Sequence, residues 1–371
     1  MSPAAPLTLY LLTLNCARLA QPPSQLATSV GPTLPSTAPA VLLLAAQEIA
    51  PMAPSFLGGA QIARYVTALA AAIGAATAAV YGAAYPLLGF HHVGPTALLA
   101  FVRPGAGAAR VRWAGVGLGV GGLGNKGGVA VRMQLAAVEI TAVGVHFAPH
   151  EAGADRRDRD WATLVRSLVF DDGAQLYPAA DAAGHLFVFG DLNYRTADTR
   201  PAPVDAAVAW RRLLDADQLS RRRRAASTCH FLDEAAIAFP PTYKYVVTAD
   251  AEDGFAKQRW PSWTDRILFL PSPTLSVETY DSIPAYRGSD HKPVFAVFTI
   301  LPGDGAPTAV KAPWGIDEGW RRRNALARRG EYVVGAAMAA AESAGVWGVF
   351  VGFVLLASGT WWLLGRTGSE I

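Results

Sequence analysis

Short apolar runs that alternate with alanine-rich stretches constrain this 371-residue chain more than any other feature. The runs are rich in Val, Ile, Leu and Phe, which is typical of strands buried on both faces. Helix-like stretches lie between them near residues 61–80, 154–169 and 203–214. The pattern predicts an α/β domain with well-buried sheets, from Leu7 to about Ile300. Its predicted strands are LTLYLLTLN, AVLLLAAQE, GGVAVRMQL, VEITAVGVHF, HLFVFG, RILFL and PVFAVFTI.

Polar residues interrupt the ends of these runs, and packing alone does not predict them. Because strand ends in a layered α/β domain converge at one rim, we expect these side chains to share a pocket. Carboxylate and amide oxygens suit Mg²⁺ with retained waters and suit zinc or copper poorly. The residues concerned are Asn15, Glu48, His146, His150, Asp191, Asn193, Asp290 and His291.

Ordinary structural roles remain open for several of these residues. Asp191 and Asn193 follow Gly190 in "FGDLNYR", and short polar side chains after a glycine are common in turns. A single histidine such as His146 or His150 is also compatible with a hydrogen-bonded core residue. A single lysine is compatible with a solvated surface charge.

Two other segments have structural interpretations. "GVGLGVGGLG" contains a G-x-G-x-x-G spacing, but the strand-like "NKGGVAVRMQL" follows it where a dinucleotide fingerprint requires a helix. A glycine-rich hairpin is therefore predicted. The run Arg221–Arg224 is interpreted as a solvated loop, with contact to anionic lipid as the alternative.

Charge and cysteine content exclude some classes of protein. The formal net charge of +3 is too small for the dense basic stripe of a nucleic-acid binder, so no nucleic-acid partner is expected. Only Cys16 and Cys229 are present, so no disulfide framework or zinc cluster can form within the chain. A reducing compartment and a monomer are expected.

The C-terminal region predicts a membrane anchor. Residues 301–342, rich in Pro, Gly and Ala before a basic stretch, are predicted to be a linker. Residues 343–365 contain no charged side chain and would form ~34 Å of helix, enough to cross a hydrocarbon core of ~30 Å. A buried core helix is the alternative. Residues 366–371 would be a short lumenal tail.

The arginines around this segment predict its topology. An excess of positive charge normally stays in the cytosol, so the domain is expected to face the cytosol. With so few residues after the apolar segment, insertion would be post-translational, into the endoplasmic reticulum or, as second choice, the mitochondrial outer membrane. Arg366 follows the segment, whereas those that precede it are Arg321, Arg322, Arg323, Arg328 and Arg329.

Several motifs together carry a resemblance to a known family: GDLNYR, PSWTDRIL, NKGGVAVR, HFAPH, DQL, FPPTYKY, KQRWPSW and SDHKPV. Over roughly residues 7–300, the chain resembles the inositol polyphosphate 5-phosphatases of the endonuclease/exonuclease/phosphatase superfamily. The resemblance implies a four-layer α/β sandwich of two packed mixed β-sheets flanked by helices. Two departures are Val188, where the family usually has Trp, and Thr264, where Cys is common.

The resemblance also implies catalytic roles. Asp191 would orient and deprotonate the attacking water, and Asn193 would donate to water or phosphate. His291, oriented by Asp265, would bond the phosphoryl oxygens, and His146 would be a second phosphate donor. The ligands implied for Mg²⁺ are Glu48, Asn15 and Asp290, with Asn15 also counted among the catalytic residues.

A second set of residues is implied to select the substrate. Phosphates on an inositol ring need fixed cations around them, and the family places its Tyr-Lys pair and the Lys before its second signature on the 4-phosphate. Asn125 and Lys126 would lie toward the 1-phosphate. The remaining members of this set are Tyr243, Lys244, Lys257, Arg259, Arg195 and His150.

The function predicted from these residues is Mg²⁺-dependent removal of the 5-phosphate of phosphatidylinositol 4,5-bisphosphate. A nuclease, a sphingomyelinase or a hydrolase of soluble inositol phosphates on the same fold is the main alternative. An inactive phosphoinositide-binding scaffold on the membrane is the non-enzymatic one. It would require a lost catalytic group, whereas every residue of the predicted catalytic set is present.

Overall fold

A computed structural model describes residues 6–136, 138–178, 184–198, 210–247, 254–301 and 310–344. The helices there are α1 (Pro23–Val30), α2 (Met52–Leu57), α3 (Ala60–Tyr81), α4 (Ala154–Ser167), α5 (Trp210–Asp215), α6 (Gln218–Arg224) and α7 (Trp320–Ala344). The strands are β1 (Leu7–Asn15), β2 (Val41–Gln47), β3 (Leu87–Val93), β4 (Thr96–Val102), β5 (Ala109–Gly117), β6 (Gly127–Leu135), β7 (Val138–His146), β8 (Gly184–Asp191), β9 (Asp265–Phe269), β10 (Leu275–Ser282) and β11 (Val294–Ile300).

The strands form two mixed sheets. The six-stranded sheet has the order β10-β11-β1-β2-β4-β3, and the five-stranded sheet has the order β5-β6-β7-β8-β9. The pairs β1–β2 and β7–β8 are parallel, and the other pairs are antiparallel. Each sheet therefore has a parallel pair whose carboxyl ends lie side by side.

The two sheets pack face to face with helices outside them. Leu9 and Leu11 of β1 point into the core between the sheets, whereas Tyr10 and Leu12 join the cluster with α1 and α3. The outer face of the five-stranded sheet packs on α4 through Trp161 and its neighbours. Because alternate side chains of a strand point to opposite faces, apolar residues at every position suit a sheet covered on both sides. The predicted sandwich of sheets and helices is therefore observed.

Helix α3 is the one helix among the described residues that is long and apolar enough to cross a membrane. Its buried positions Ile62, Val66, Leu69 and Ile73 recur every three or four residues. This spacing places them on one face, which packs against the six-stranded sheet. Core packing therefore accounts for the apolar character of α3.

The segment predicted to be a linker contains helix α7. Gly335 lies so close to α2 that a Cβ added there would meet Phe56 Cβ at 2.9 Å. Glu331 of α7 is buried and hydrogen-bonded to the domain. Residues 320–342 therefore form a helix that packs against the domain, within the segment predicted to be a linker. The predicted membrane span, beyond residue 344, lies outside the described residues.

The arginine run is helical, which corrects the prediction of a loop. Asp217 caps α6 by accepting from Ser220 N at 2.8 Å. Arg222 pairs with Asp155 at 2.7 Å, and Arg223 donates to Leu232 O at 2.8 Å. The sequence signal for the start of α6 is its acidic N-cap residue, Asp217. The contacts of the arginines come from helix α4 and from the loop that contains Leu232.

Candidate functional site

One pocket gathers the polar strand ends of both sheets. It has a volume of about 340 Å³ and lies where the carboxyl ends of β1, β2, β7 and β8 meet the starts of β9 and β11. We call it the rim pocket. It is lined by Asn15, Ala17, Arg18, Glu48, Lys126, His146, Pro149, Asp191, Asn193, Arg195, Tyr243, Lys244, Asp290 and His291.

Asp191 lies at the end of β8, and backbone packing determines its position. Gly190 has φ +147°, and a Cβ there would meet Val145 O of β7 at 2.1 Å. Only glycine therefore lets β8 approach β7 closely enough to bring Asp191 opposite His146 in the parallel register.

The Asp191 carboxylate is almost completely buried and held by three donors. Oδ2 accepts from Asn15 Nδ2 at 3.0 Å and lies 3.3 Å from His146 Nε2, while Oδ1 accepts from Asn193 N at 3.0 Å. Burial opposes ionisation, but the hydrogen bond from His146 and nearby positive charges hold the pKa of Asp191 well below its usual range. Asp191 is therefore a carboxylate able to accept a proton from water.

Asn193 reaches the pocket through a turn rather than an extended segment. Its φ is +59°, and its amide N binds the Asp191 side chain, so the turn interpretation is correct for the backbone. One amide hydrogen of Nδ2 goes to Phe147 O at 3.0 Å, and Oδ1 accepts from Arg195. Among the described residues the second Nδ2 hydrogen has no partner, so it is available to donate to a ligand.

His291 is held by a buried carboxylate, that of Asp265. His291 Nδ1 lies 2.9 Å from Asp265 Oδ2. The same oxygen accepts from Thr242 at 2.7 Å and Thr264 at 2.9 Å. Burial alone would lower the pKa of His291, but Asp265 raises it to about 9. Near neutral pH the imidazole is therefore charged, and Nε2 can donate to an anion.

Glu48, Lys126 and His146 form a second charged group in the pocket. Lys126 Nζ contacts His146 and lies 3.7 Å from Glu48 Oε1. Burial and the charge of Lys126 lower the pKa of His146, whose Nε2 contacts both Lys126 Nζ and Asp191 Oδ2. Glu48 also pairs with Arg18 at 3.2 Å.

Two further cations line the pocket beside Tyr243. Arg195 is 3% exposed, and its guanidinium lies 4.5 Å from the Tyr243 ring centroid. Its Nη1 has no hydrogen-bond partner among the described residues, which suits an incoming anion. Lys244 Nζ binds Asp290 Oδ2 at 2.6 Å. Burial would lower the pKa of Lys244, but Asp290 raises it.

Four predicted substrate residues are absent from the residues that line the rim pocket. Arg259 pairs with Glu151 at 2.6 Å, and its Nη2 lies 3.5 Å from His150 Nδ1. Lys257 and Asn125 are exposed. The ion pair with Glu151 holds the Arg259 guanidinium at the loop after β7, so the roles of these four residues stay predictions.

The residues predicted to hold a metal fit a hard cation. Glu48, Asn15 and Asp290 place oxygen donors on the same pocket, and oxygen donors suit Mg²⁺. Asp191, Asp265 and His291 also place ligand atoms within 4.8 Å of one another. In that group Asp265 Oδ2 already accepts three hydrogen bonds, whereas Asp265 Oδ1 has no hydrogen-bond partner among the described residues.

Several residues of the site were missed by sequence reasoning. Thr242 and Thr264 orient Asp265, and Ser289 links His291 N to Asn15 O through bonds of 3.1 and 2.6 Å. Arg18 borders the pocket. Thr264 and Ser289 lie inside the quoted motifs PSWTDRIL and SDHKPV, whereas Arg18 carries no sequence signal that separates it from other surface arginines.

Comparison with known proteins decides the family. A sequence model described as "Endonuclease/Exonuclease/phosphatase family 2" matches residues 12–297. The chain belongs to this family. Its relatives include the inositol-1,4,5-trisphosphate 5-phosphatase 1 of Schizosaccharomyces pombe, 35% identical over 185 residues, which are 48% of this chain and 16% of that protein.

Two other relatives of this family member carry similar names. The type II inositol 1,4,5-trisphosphate 5-phosphatase of Mus musculus is 36% identical over 50% of this chain and 19% of that protein. The type IV inositol polyphosphate 5-phosphatase 11 of Arabidopsis thaliana is 34% identical over 48% of this chain and 54% of that protein. The matches therefore span about half or less of each relative.

Two solved structures show a similar fold. The 5-phosphatase domain of SPsynaptojanin, in complex with inositol (1,4)-bisphosphate and calcium ion, has a TM-score of 0.65 and 22% identity over 88% of this chain and 90% of that one. A Cimex nitrophorin ferrous NO complex has a TM-score of 0.55 and 18% identity over 81% of this chain and 100% of that one. The fold therefore carries more than one function, which must be argued from the site.

Proposed function

We propose that the chain removes the 5-phosphate of phosphatidylinositol 4,5-bisphosphate with the help of Mg²⁺. One observation carries the proposal: an ionised carboxylate, Asp191, and a charged imidazole, His291, share a pocket with Lys126, Arg195 and Lys244. A base next to several anion-binding groups is what hydrolysis of a phosphorylated substrate requires.

The pocket residues divide the work of hydrolysis. Asp191 orients the attacking water and takes its proton, and Asn193 steadies water or phosphate through its free amide hydrogen. His291 donates to a phosphoryl oxygen, where negative charge spreads during phosphoryl transfer. Mg²⁺, held by Glu48, Asn15 and Asp290, would supply further neutralisation of that charge.

The cations around the pocket favour a substrate with neighbouring phosphates. Lys244 and the unpartnered Nη1 of Arg195 lie on the side of Tyr243. A phosphocholine headgroup has a single phosphate, and a DNA backbone carries its phosphates as diesters along the strand rather than as two monoesters on neighbouring carbons of one ring. Relatives named as inositol phosphatases support the same substrate class.

Hydrolysis of a panel of substrates tests the proposal, with phosphate release measured for the inositol phosphates and phosphoinositides, phosphocholine release for sphingomyelin and strand cleavage for DNA. The full chain in detergent micelles would be supplied with phosphatidylinositol 4,5-bisphosphate, phosphatidylinositol 5-phosphate, inositol 1,4,5-trisphosphate, sphingomyelin and DNA. We expect the highest kcat/KM with the first substrate and no cleavage of the last two. Turnover of DNA or sphingomyelin at a comparable rate would reject the proposed substrate.

Lys244→Ala is expected to lower kcat/KM for phosphatidylinositol 4,5-bisphosphate about tenfold or more, because a charge-assisted contact to the 4-phosphate is lost. Phosphatidylinositol 5-phosphate lacks that group and should be affected much less. Steady-state kinetics on both lipids measure the difference.

Lys257→Ala is the matched comparison for Lys244→Ala. Lys257 is exposed and does not line the pocket, although the family resemblance assigns it to the same phosphate. If Lys244→Ala lowers kcat/KM equally for phosphatidylinositol 4,5-bisphosphate and phosphatidylinositol 5-phosphate, Lys244 has only a general electrostatic role. Lys244 pairs with Asp290, which is predicted to hold the metal. A Mg²⁺ titration of Lys244→Ala therefore shows whether the loss of rate comes from altered metal binding.

A cytosolic catalytic domain anchored in the endoplasmic reticulum membrane completes the proposal. It rests on the uncharged segment 343–365 and on the arginines that precede it. Helix α7 packs against the domain and leads directly into the proposed anchor. The pocket would therefore lie near the membrane in which the chain is anchored. Protease added to sealed microsomes should digest the domain without detergent, and protection until detergent is added would contradict this topology.

A further inference from the structure

Helix α7 covers the glycine-rich hairpin, which we define as residues 117–127. Six of these eleven residues are glycine. Ala327 packs on Gly122, and Leu123 packs on Gly330. Glycine-rich backbone has unusual conformational freedom, so a hairpin of this composition needs contacts from outside to hold one shape.

Glu331 makes the polar contact between helix and hairpin. Its Oε1 accepts from Gly124 N at 2.7 Å, and its side chain is 3% exposed. Arg328, one turn earlier in α7, lies 3.7 Å from Oε2. A buried backbone N–H without a partner is costly, so loss of Glu331 would force the hairpin to move or to admit water.

The hairpin leads directly into the rim pocket. Lys126 follows Gly124 by two residues, and its carbonyl accepts from Leu118 N at 2.7 Å across the base of the hairpin. Its side chain is 15% exposed, and Nζ lies between His146 and Glu48. A displacement at Gly124 would therefore be transmitted to the ammonium group in the pocket.

We infer that Glu331 is a positioning residue for the proposed phosphatase reaction, because it fixes the hairpin that places Lys126 in the rim pocket. The inference rests on the proposed function. It adds that the C-terminal helix, separated from Lys126 by about 200 residues of sequence, is part of what shapes the site.

The test compares Glu331→Ala in two backgrounds, with soluble inositol 1,4,5-trisphosphate as substrate so that membrane contact of α7 does not enter. In the full chain, Glu331→Ala should reduce kcat/KM about tenfold, the size of coupling expected between linked residues. In a Lys126→Ala background the same change should have no further effect. An equal loss in both backgrounds would overturn the inference.

Two further variants separate positioning from general destabilisation. Glu331→Gln keeps an oxygen acceptor for Gly124 N and should stay close to the wild-type rate. Asn324→Ala removes a contact of the same helix to Gly115 O, at 3.4 Å, which lies outside the hairpin. Asn324→Ala should leave kcat/KM unchanged. A loss equal to that of Glu331→Ala would overturn the specific role of Glu331, because any loosening of α7 would then reduce the rate.

Hydrogen exchange without substrate gives a readout that does not depend on activity. Amides of residues 118–126 should exchange faster in Glu331→Ala than in the wild type and in Glu331→Gln. Unchanged exchange would overturn the inference even if the wild type hydrolyses the substrate. If Glu331→Ala exchanges faster than the wild type but the wild type releases no phosphate, the contact is real and the proposed function fails.

Discussion

Asp191→Asn is expected to abolish measurable hydrolysis while leaving the fold intact. The amide keeps the size of the carboxylate but cannot take a proton from water, and general base catalysis typically contributes ~10²–10⁴-fold. Asp191→Ala should lose at least as much. Phosphate release from phosphatidylinositol 4,5-bisphosphate under single-turnover conditions measures the effect.

Stability must be measured beside this rate, because Asp191 receives three hydrogen bonds in a buried site. Its carboxylate also favours the charged form of His291. A melting temperature close to that of the wild type would show that the variant is folded. A folded variant with near-normal turnover would remove Asp191 from the role of base.

Removal of divalent cations is expected to stop hydrolysis, and added Mg²⁺ to restore it. Glu48→Gln should raise the Mg²⁺ concentration for half-maximal activity about tenfold or more, because the amide keeps the shape of the side chain but loses the charge that holds the ion. Titration of Mg²⁺ against initial rate measures the shift.

Glu139→Gln is a matched control for Glu48→Gln. Glu139 lies near the start of β7, at the opposite end of the strand from His146, and its side chain is 36% exposed. Its substitution should leave the Mg²⁺ requirement unchanged. Full activity of the wild type in excess chelator would exclude the metal from the reaction, and an unchanged requirement in Glu48→Gln would exclude Glu48 as its ligand.

The central strands were predictable because both of their faces are buried. β1, β2, β7 and β8 have apolar residues at nearly every position and end in polar ones. β3, β5 and β10 were missed, since each is a sheet edge with exposed positions. β4 was missed as well, because a short apolar run is compatible with a strand or a buried helical segment.

Helix α7 shows why the C-terminal region was harder to interpret. Its sequence combines arginines, alanines and two internal glycines, Gly330 and Gly335, which lower intrinsic helix propensity. Those glycines allow close contact with the hairpin and with α2. The helix is therefore supported by tertiary packing that no local pattern contains.

The sequence alone determined which chemical groups the site contains, because Asp191, Asn193, Asp265 and His291 lie in motifs that are recognisable along the chain. Their arrangement was decided only by tertiary structure. Asn15 and Asp191 are 176 residues apart yet share a hydrogen bond of 3.0 Å, which exists because two sheets bring the ends of their parallel strands to one rim. Thr242 on Asp265 and Glu331 on Gly124 depend in the same way on packing between distant segments, and a linear pattern carries no record of such contacts.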